Sequence, residues 1–185
     1  IAFAQKVISD SDLFDDFNNF DISIPITGVI GTDEFDRFMK DNDLWDRAIN
    51  SDSDIDLEKL FLKSRLSLDL MLKLESFIKE RQKPLAVRSS SLLEDSQYQP
   101  LSGTYSTFML PNNQNKTRHR LLDLEKAIKK EYASTFKRDA KALLNNTSHR
   151  IEEEKMAVII MEIAGQKYKS NRFYPTISGV LKNIN

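Results

Sequence analysis

Apolar positions recur at helical spacing over much of the first half of the chain. Residues three and four positions apart lie on one face of a helix, so this spacing predicts amphipathic helices. A strand is predicted over residues 23–31, where β-branched residues stand between Pro25 and Gly31. Ser, Thr and Asp cap helices because their side chains accept hydrogen bonds from the free amides of the first turn. We therefore expect helices over residues 2–17, from the caps Thr32 and Asp56, and from the cap Ser67 to about Glu80.

Strands become more frequent in the second half of the chain. The run Lys155–Ile163 is mostly apolar and rich in β-branched residues, which is typical of a central, buried strand. Together the elements predict the α/β fold class in its mixed α+β form, with a mixed sheet flanked by helices. The other predicted elements are strands over residues 84–88 and 104–110, a strand that begins at residue 177, and helices over residues 121–132 and 140–144.

The charge of the chain is balanced overall and unevenly distributed. The 185 residues carry 27 basic and 28 acidic side chains, a formal net charge of −1, which argues against a polycationic nucleic-acid binder. Residues 1–56 hold 14 acidic and four basic side chains, whereas residues 57–185 hold 14 acidic and 23 basic ones. Three explanations of the cationic part stay open. It could bind a phosphate-bearing ligand, it could pack against the acidic part, or its charges could lie on ordinary solvated helix faces.

Several classes of protein and site are excluded by what the sequence lacks. Cysteine is absent, so the chain has neither disulfides nor thiolate metal sites. No apolar stretch approaches the roughly 20 residues that span a bilayer, and no signal peptide is visible. The alternating acids of residues 52–56 do not form a calcium loop, because Leu57 and Lys63 stand where Gly and Glu are required. We expect a cytoplasmic protein with no metal site in this chain, no membrane or nucleic-acid partner, and His119 and His149 at the surface.

Arg88 at the end of a predicted strand is the most informative candidate for chemistry. Its guanidinium presents a planar set of donors suited to phosphate oxygens. The hydroxyls that follow, beginning with Ser89, would complete an anion pocket in a turn. A structural salt bridge from Arg88 to Glu94 or Asp95 would leave the same sequence pattern. Both interpretations stay open on the residues alone.

Four segments resemble one known family in the same order along the chain. Residues 84–96 and 101–108 resemble the Val-Arg-Ser-Ser…Glu-Asp…Phe-Ala-Gly…Thr-Phe segment of phosphoenolpyruvate synthases and pyruvate phosphate dikinases. The resemblance extends to the Met-Ala-Val-x-x-Gln strand at residues 154–162, to Ser-Gly-Val at residues 177–180, and to the Pro-Pro-Gly-Phe-x-Ile-x-Thr region at residues 24–35.

This resemblance implies an amino-terminal nucleotide-binding domain of the ATP-grasp type, present here as a fragment. Residues 1–185 would form one partial domain, truncated at both ends, with a mainly helical acidic part (1–83) and a strand-rich part (84–185) that holds the ATP-site segment. Members of the family bind ATP with Mg²⁺ and pass phosphate to a histidine on a separate domain, then to pyruvate on a third domain. The resemblance implies that Arg88 contacts the phosphates beside Ser89, that Gly103 lies in a loop that closes over the nucleotide, and that Glu162 and Ile163 meet the adenine edge.

Departures from the family pattern leave the activity open. Met161 stands where many members have Gln, residues 101–102 are Leu-Ser instead of Phe-Ala, and Ser106 replaces an acid. The family's Gly-Gly-Lys segment and its metal ligands would lie outside the chain. We therefore expect the isolated chain to be inactive. The alternatives are a non-catalytic nucleotide-binding or regulatory module, and a related dikinase that acts on an acceptor other than pyruvate.

Overall fold

The computed structural model describes residues 2–10, 23–91, 105–144, 150–169 and 172–179. The chain divides into two compact units, of which the larger is Thr27–Ile163 and the smaller combines Ile1–Ile26 with Ala164–Asn185. The helices are α1 (Ala2–Asp10), α2 (Thr32–Asp41), α3 (Trp45–Ile49), α4 (Asp54–Lys63), α5 (Leu68–Lys79), α6 (Thr117–Ser134), α7 (Arg138–Leu144) and a 3₁₀ turn (Ile151–Glu153). The strands are β1 (Thr27–Ile30), β2 (Leu85–Ser91), β3 (Thr107–Leu110), β4 (Met156–Glu162), β5 (Gln166–Lys167) and β6 (Phe173–Tyr174).

A four-stranded sheet in the order β1-β4-β2-β3 forms one layer of the larger unit. This layer and the helices confirm the predicted mixed α+β class. The central position of β4 is also confirmed, since it pairs with both β1 and β2. Every described pairing is antiparallel, whereas we predicted a mixed sheet. The hydrophobic pattern of a strand records which face is buried and carries no information on the direction of its neighbour, which explains the difference.

The helices pack on one face of this sheet. Alternate residues of β4, from Met156 to Glu162, are buried, and so are the residues that β2 presents to the same side. In the helical layer the ring of Phe35 packs edge-on against Trp45 and Tyr132 and lies parallel to Phe136. Gly28 allows the ring of Phe77 to approach β1, because a Cβ at Gly28 would lie 3.2 Å from the ring. The sheet therefore has a helix-covered face and an opposite face, called the outer face below.

The capping residues seen in the structure can be compared with those predicted from the sequence. Ser67 is confirmed as a cap: its Oγ accepts a hydrogen bond from the Leu70 amide at 3.2 Å. Two other predicted caps are wrong. Helix α2 begins at Thr32 itself, after Gly31, and α4 begins after Ser53, whose Oγ accepts from the Asp56 amide. Segments rich in Ser, Thr and Asp offer several residues able to cap, so the sequence does not single one out.

The smaller unit contains α1 and the β5–β6 hairpin. The described part of α1 ends at Asp10, and residues 11–17 of the helix predicted there lie outside the described residues. Gly165 precedes the hairpin with a φ of +147°, and a Cβ there would lie 2.6 Å from the carbonyl carbon of Tyr174. The rings of Tyr168 and Tyr174 stack at 4.1 Å between centroids. Residues 177–179 do not form the predicted strand, because this segment has no described strand partner and Ile177 is 87 % exposed.

Candidate functional site

Arg88 lies inside β2, on the outer face of the sheet. Side chains of a strand alternate between the two faces, and the burial of β2 follows this alternation from Val87 to Ser91. Val87 and Ser89 are buried against the helices, while Arg88 is exposed. The prediction that the strand ends at Arg88 is therefore wrong. Ser90 and Ser91 still pair with β4, and their half-buried and buried side chains continue the alternation of the strand.

Strand pairing decides which side chains flank Arg88. Arg88 pairs with Thr107 of β3 on one side and with Ile159 of β4 on the other. Ile159 in turn pairs with Val29 of β1. Residues directly opposite one another on neighbouring strands share a face, with Cβ atoms about 5 Å apart. The hydroxyl of Thr107 is thus the nearest polar neighbour of Arg88 in this row.

Among the described residues no carboxylate pairs with Arg88. The alternative partners Glu94 and Asp95 lie outside the described part of the chain. An arginine that forms a structural ion pair is held by its carboxylate, whereas Arg88 is exposed on a face otherwise lined by small, apolar and hydroxyl side chains. The Arg88 guanidinium is therefore accessible on the outer face of the sheet.

Ser89 does not join Arg88 as the sequence led us to expect. It is 7 % exposed and pairs with Val158 on the helix-covered face. Ser90, two residues after Arg88, shares the outer face instead. Sequence reasoning included Ser90 only as one hydroxyl of a predicted turn, and it missed Thr107 as a neighbour of Arg88. The alternation of a strand would have indicated Ser90, whereas Thr107 depends on the pairing of β2 with β3.

Glu162 and Ile163 lie at the end of β4, beside the start of β2. Glu162 is 8 % exposed on the helix-covered face, and its carboxylate lies 3.9 Å from the Lys83 ammonium. The amide of Ile163 donates a hydrogen bond to the Pro84 carbonyl at 2.9 Å. The Glu162 side chain therefore lies on the side of the sheet opposite to Arg88. Gly103 lies outside the described residues.

The start of β2 is held by polar side chains from the segment after β3 and from α6. The Asn112 amide donates to the carbonyls of Arg81 at 3.0 Å and Lys83 at 2.9 Å. The buried guanidinium of Arg120 donates to the carbonyls of Ile78 and Arg81. These contacts satisfy carbonyls at the end of α5 and fix the entry of the chain into β2, which carries Arg88.

The described residues provide no group of three or more His, Asp and Glu side chains that could hold a metal ion. His119 is exposed on α6, as predicted, and His149 lies outside the described residues. In the same part of the chain, every helix is too short or too polar to cross a bilayer.

Comparison with known proteins identifies one family. A family model described as "Pyruvate phosphate dikinase, AMP/ATP-binding domain" matches residues 10–185. The match includes the whole of the four-stranded sheet and the candidate site on it. A search of the curated proteins gives no match.

Proposed function

Since the chain belongs to the family of the pyruvate phosphate dikinase AMP/ATP-binding domain, we propose that it holds ATP on the outer face of its sheet for phosphoryl transfer. The observation that carries this proposal is the exposed Arg88, which no described carboxylate neutralises. The guanidinium can form paired hydrogen bonds with phosphate oxygens, and such charge-assisted bonds are about twice as strong as neutral ones. Arg88 would thereby neutralise charge on the transferring phosphates.

Two hydroxyls would complete the phosphate site around Arg88. Thr107 lies directly across from Arg88 on β3, and Ser90 lies two residues further along β2 on the same face. A hydroxyl can donate to a phosphate oxygen without adding charge, so both residues can orient the phosphates that Arg88 attracts. Ser89 would support this site only from within the helix-covered face.

The finer description of the reaction follows the family. We propose one partial ATP-grasp-type domain over residues 1–185, in which the backbone of Glu162 and Ile163 meets the base and Gly103 lies in a closing loop. Phosphate would pass to a histidine on a separate domain and then to pyruvate, in the cytoplasm. The family also implies Mg²⁺, but the described residues lack an acidic cluster that would bind it, so we derive no step through the metal.

The experiment compares Arg88→Ala with Arg47→Ala in the full-length protein. Arg47 is an exposed arginine on α3, in the helical layer, and serves as the matched control. We expect Arg88→Ala to weaken ATP binding at least tenfold, roughly the 1.4 kcal/mol of one charge-assisted bond, and to lower phosphotransfer further. Arg47→Ala should change neither. Equal ATP affinity in both variants would refute the assigned site.

Measurement of the products distinguishes the alternatives. Formation of phosphoenolpyruvate from ATP and pyruvate supports the dikinase reaction. ATP binding without phosphotransfer to any acceptor would assign the chain to a non-catalytic nucleotide-binding module, and phosphorylation of another acceptor would assign it to a related dikinase.

A further inference from the structure

A second row of side chains crosses the outer face next to the row of Arg88. Met161 of β4 pairs with Thr27 of β1 on one side and with Ala86 of β2 on the other. Ala86 in turn pairs with Met109 of β3. We call these residues the Met161 row, which lies two residues from Arg88 along β2, or about 7 Å. Thr27 carries the one hydroxyl of this row.

The Thr27 side chain lies on the outer face. Gly28, the next residue of β1, faces the helices, because a Cβ there would lie 3.2 Å from the ring of Phe77 on α5. The alternation of a strand therefore places Thr27 and Val29 on the other side, where Val29 is 65 % exposed and Thr27 is half-buried. Because directly paired residues have their Cβ atoms about 5 Å apart, Thr27 and Met161 are neighbours on this face.

The polarity of the outer face orients a nucleotide along the strands. Arg88 and the hydroxyls beside it form a polar end, whereas the Met161 row is apolar except for Thr27. A nucleoside triphosphate has charged phosphates at one end and a flat base at the other, so phosphates held at Arg88 leave the base to the Met161 row. Met161 also directly precedes the segment 162–163, whose backbone meets the base in the proposed function. This step rests on the proposed function.

The separation of Thr27 from Arg88 agrees with the length of a nucleotide. β4 lies between β1 and β2, so the backbones of these two strands lie about 10 Å apart across the sheet. With about 7 Å between the rows, the backbones at Thr27 and Arg88 are about 12 Å apart. An extended ATP molecule spans a comparable distance from its base to its phosphates. One nucleotide can therefore reach both residues.

A base on the Met161 row needs a hydrogen-bond donor for its ring nitrogen. The N1 atom of adenine is an acceptor on the Watson–Crick edge of the base. The Ile163 amide at this end of the sheet already donates to the Pro84 carbonyl at 2.9 Å. The methionine and alanine side chains of the row carry no donor. The hydroxyl of Thr27 has one donor and two acceptor positions, so it can donate to N1 and still accept other hydrogen bonds.

We propose that the Thr27 hydroxyl donates to the N1 atom of adenine and thereby fixes the edge of the base on the Met161 row. The apolar side chains of the row contact the flat face of the base, and the unbranched thioether of Met161 adapts to its shape. Thr27 thus contributes to the affinity for ATP without contact with the phosphates, which Arg88 attracts.

The first test compares three ligands of the full-length wild-type protein: ATP, 1-deaza-ATP and inorganic tripolyphosphate. In 1-deaza-ATP a C–H group replaces N1, so the analogue cannot accept the hydrogen bond from Thr27. We expect it to bind about threefold to tenfold more weakly than ATP, the value of one net hydrogen bond. Tripolyphosphate should bind more weakly still, because it lacks the base. Equal affinities for ATP and 1-deaza-ATP would overturn the inference.

The second test assigns the hydrogen bond to Thr27. Thr27→Val keeps the shape of the side chain and favours the strand, so we expect it to lower ATP affinity about threefold to tenfold. Its affinities for 1-deaza-ATP and tripolyphosphate should stay at the wild-type values, and Thr27→Ser should retain most of the ATP affinity. An unchanged ATP affinity in Thr27→Val, or an equal loss for all three ligands, would overturn the assignment.

Thr107→Val is the matched control, because it makes the same substitution in the phosphate part of the site. It should weaken the binding of ATP and tripolyphosphate alike, whereas Thr27→Val should weaken only ATP. ATP binding that depends on Arg88 but not on Thr27 would overturn this inference and leave the proposed function intact. Failure of the wild-type protein to bind ATP would overturn both. The comparison of ATP with 1-deaza-ATP uses the wild-type protein, so it does not depend on the folding of any variant.

Discussion

Arg88 and Ser89 are adjacent in the chain, yet their side chains lie on opposite faces of the four-stranded sheet. Arg88 is exposed on the outer face, and Ser89 is buried against the helices. A ligand that contacts the guanidinium of Arg88 on the outer face therefore meets Thr107 and Ser90 before it meets the hydroxyl of Ser89. The composition of the candidate phosphate site follows from this arrangement.

Thr107→Val tests the hydroxyl beside Arg88. Valine has nearly the same shape and favours strands, so we expect stability to stay within about 0.5 kcal/mol. ATP affinity should fall about threefold to tenfold, the value of one net hydrogen bond. Thr107→Ser keeps the hydroxyl and should retain most of the affinity. Isothermal titration of the full-length protein measures the ATP affinity of both variants. Equal affinity in wild type and Thr107→Val would contradict a phosphate contact.

Ser67→Ala tests the cap that joins two helices. The Ser67 Oγ accepts from the Leu70 amide at 3.2 Å and donates to the Glu34 carboxylate of α2 at 2.9 Å. Loss of both bonds should lower the free energy of unfolding by about 1–2 kcal/mol. Ser76→Ala, at an exposed position inside α5, is the control and should be neutral or slightly stabilising because alanine favours helix. Urea denaturation measures the free energy of unfolding of both variants, and similar values for the two would contradict the capping role of Ser67.

Lys141→Met tests a cation at the end of α3. The Lys141 ammonium on α7 donates to the carbonyls of Ala48 at 2.9 Å, Ile49 at 2.7 Å and Ser51 at 2.9 Å. These carbonyls lie at and just after the C-terminus of α3, where the helix dipole favours a cation, and that of Ala48 also accepts from the Ser51 amide at 3.4 Å. We expect a loss of about 2 kcal/mol in the free energy of unfolding.

The control for this prediction is Lys40→Met, an exposed lysine in the last turn of α2. It should change the free energy of unfolding by no more than about 0.5 kcal/mol. If the two lysine variants have equal stability in thermal or urea denaturation, the three hydrogen bonds of Lys141 do not stabilise the protein.

Tyr132→Phe tests a buried hydroxyl. The Tyr132 ring packs against Phe35 at 5.1 Å and Phe38 at 5.3 Å between centroids, and its hydroxyl has no hydrogen-bond partner among the described residues. Removal of a buried, unsatisfied hydroxyl should leave stability unchanged at pH 7 or raise it by about 1 kcal/mol. Tyr132→Ala, which removes the ring as well, should cost about 3–5 kcal/mol.

The pH dependence of Tyr132→Phe follows from the same burial. Burial, aided by the negative charges of Glu34 and Asp33, raises the pKa of Tyr132 well above its usual value near 10. As the pH rises, Tyr132 therefore loses its proton in the unfolded chain before it does so in the folded protein. The contribution of the neutral hydroxyl to the free energy of unfolding is complete below about pH 10 and falls as the pH rises further. We expect the stability advantage of Tyr132→Phe to grow between about pH 9 and pH 11 in urea denaturation. A constant difference across this range would contradict the raised pKa.

The helical layer was largely predictable because its signals are local. The apolar spacing from Ser67 to Glu80 predicted α5 nearly to its ends, and the hydroxyl of Ser67 marked its start. The predicted helix starts were less accurate where several neighbouring residues could cap the same helix. Ser53 rather than Asp56 caps α4, since both can accept from a first-turn amide.

The candidate site was predictable only in part, because its geometry depends on pairing between distant strands. The sequence singled out Arg88 but placed it at a strand end, next to a serine turn. Glu162 is the last residue of β4 and Ile163 follows it, but the Glu162 side chain is on the helix-covered face and the Ile163 amide is bonded to Pro84. No local pattern indicates that Thr107 pairs with Arg88 or that Met161 pairs with Ala86.

By itself the sequence determined the fold class, the central strand β4 and the family resemblance, because these depend on residue spacing and on short motifs read along the chain. Only the tertiary structure decided the direction of the strands, the face on which each side chain lies, and the placement of Thr107 beside Arg88. The physical reason is the strand register: a shift of one residue would turn every side chain of a strand to the other face, and hydrogen bonds between strands set that register.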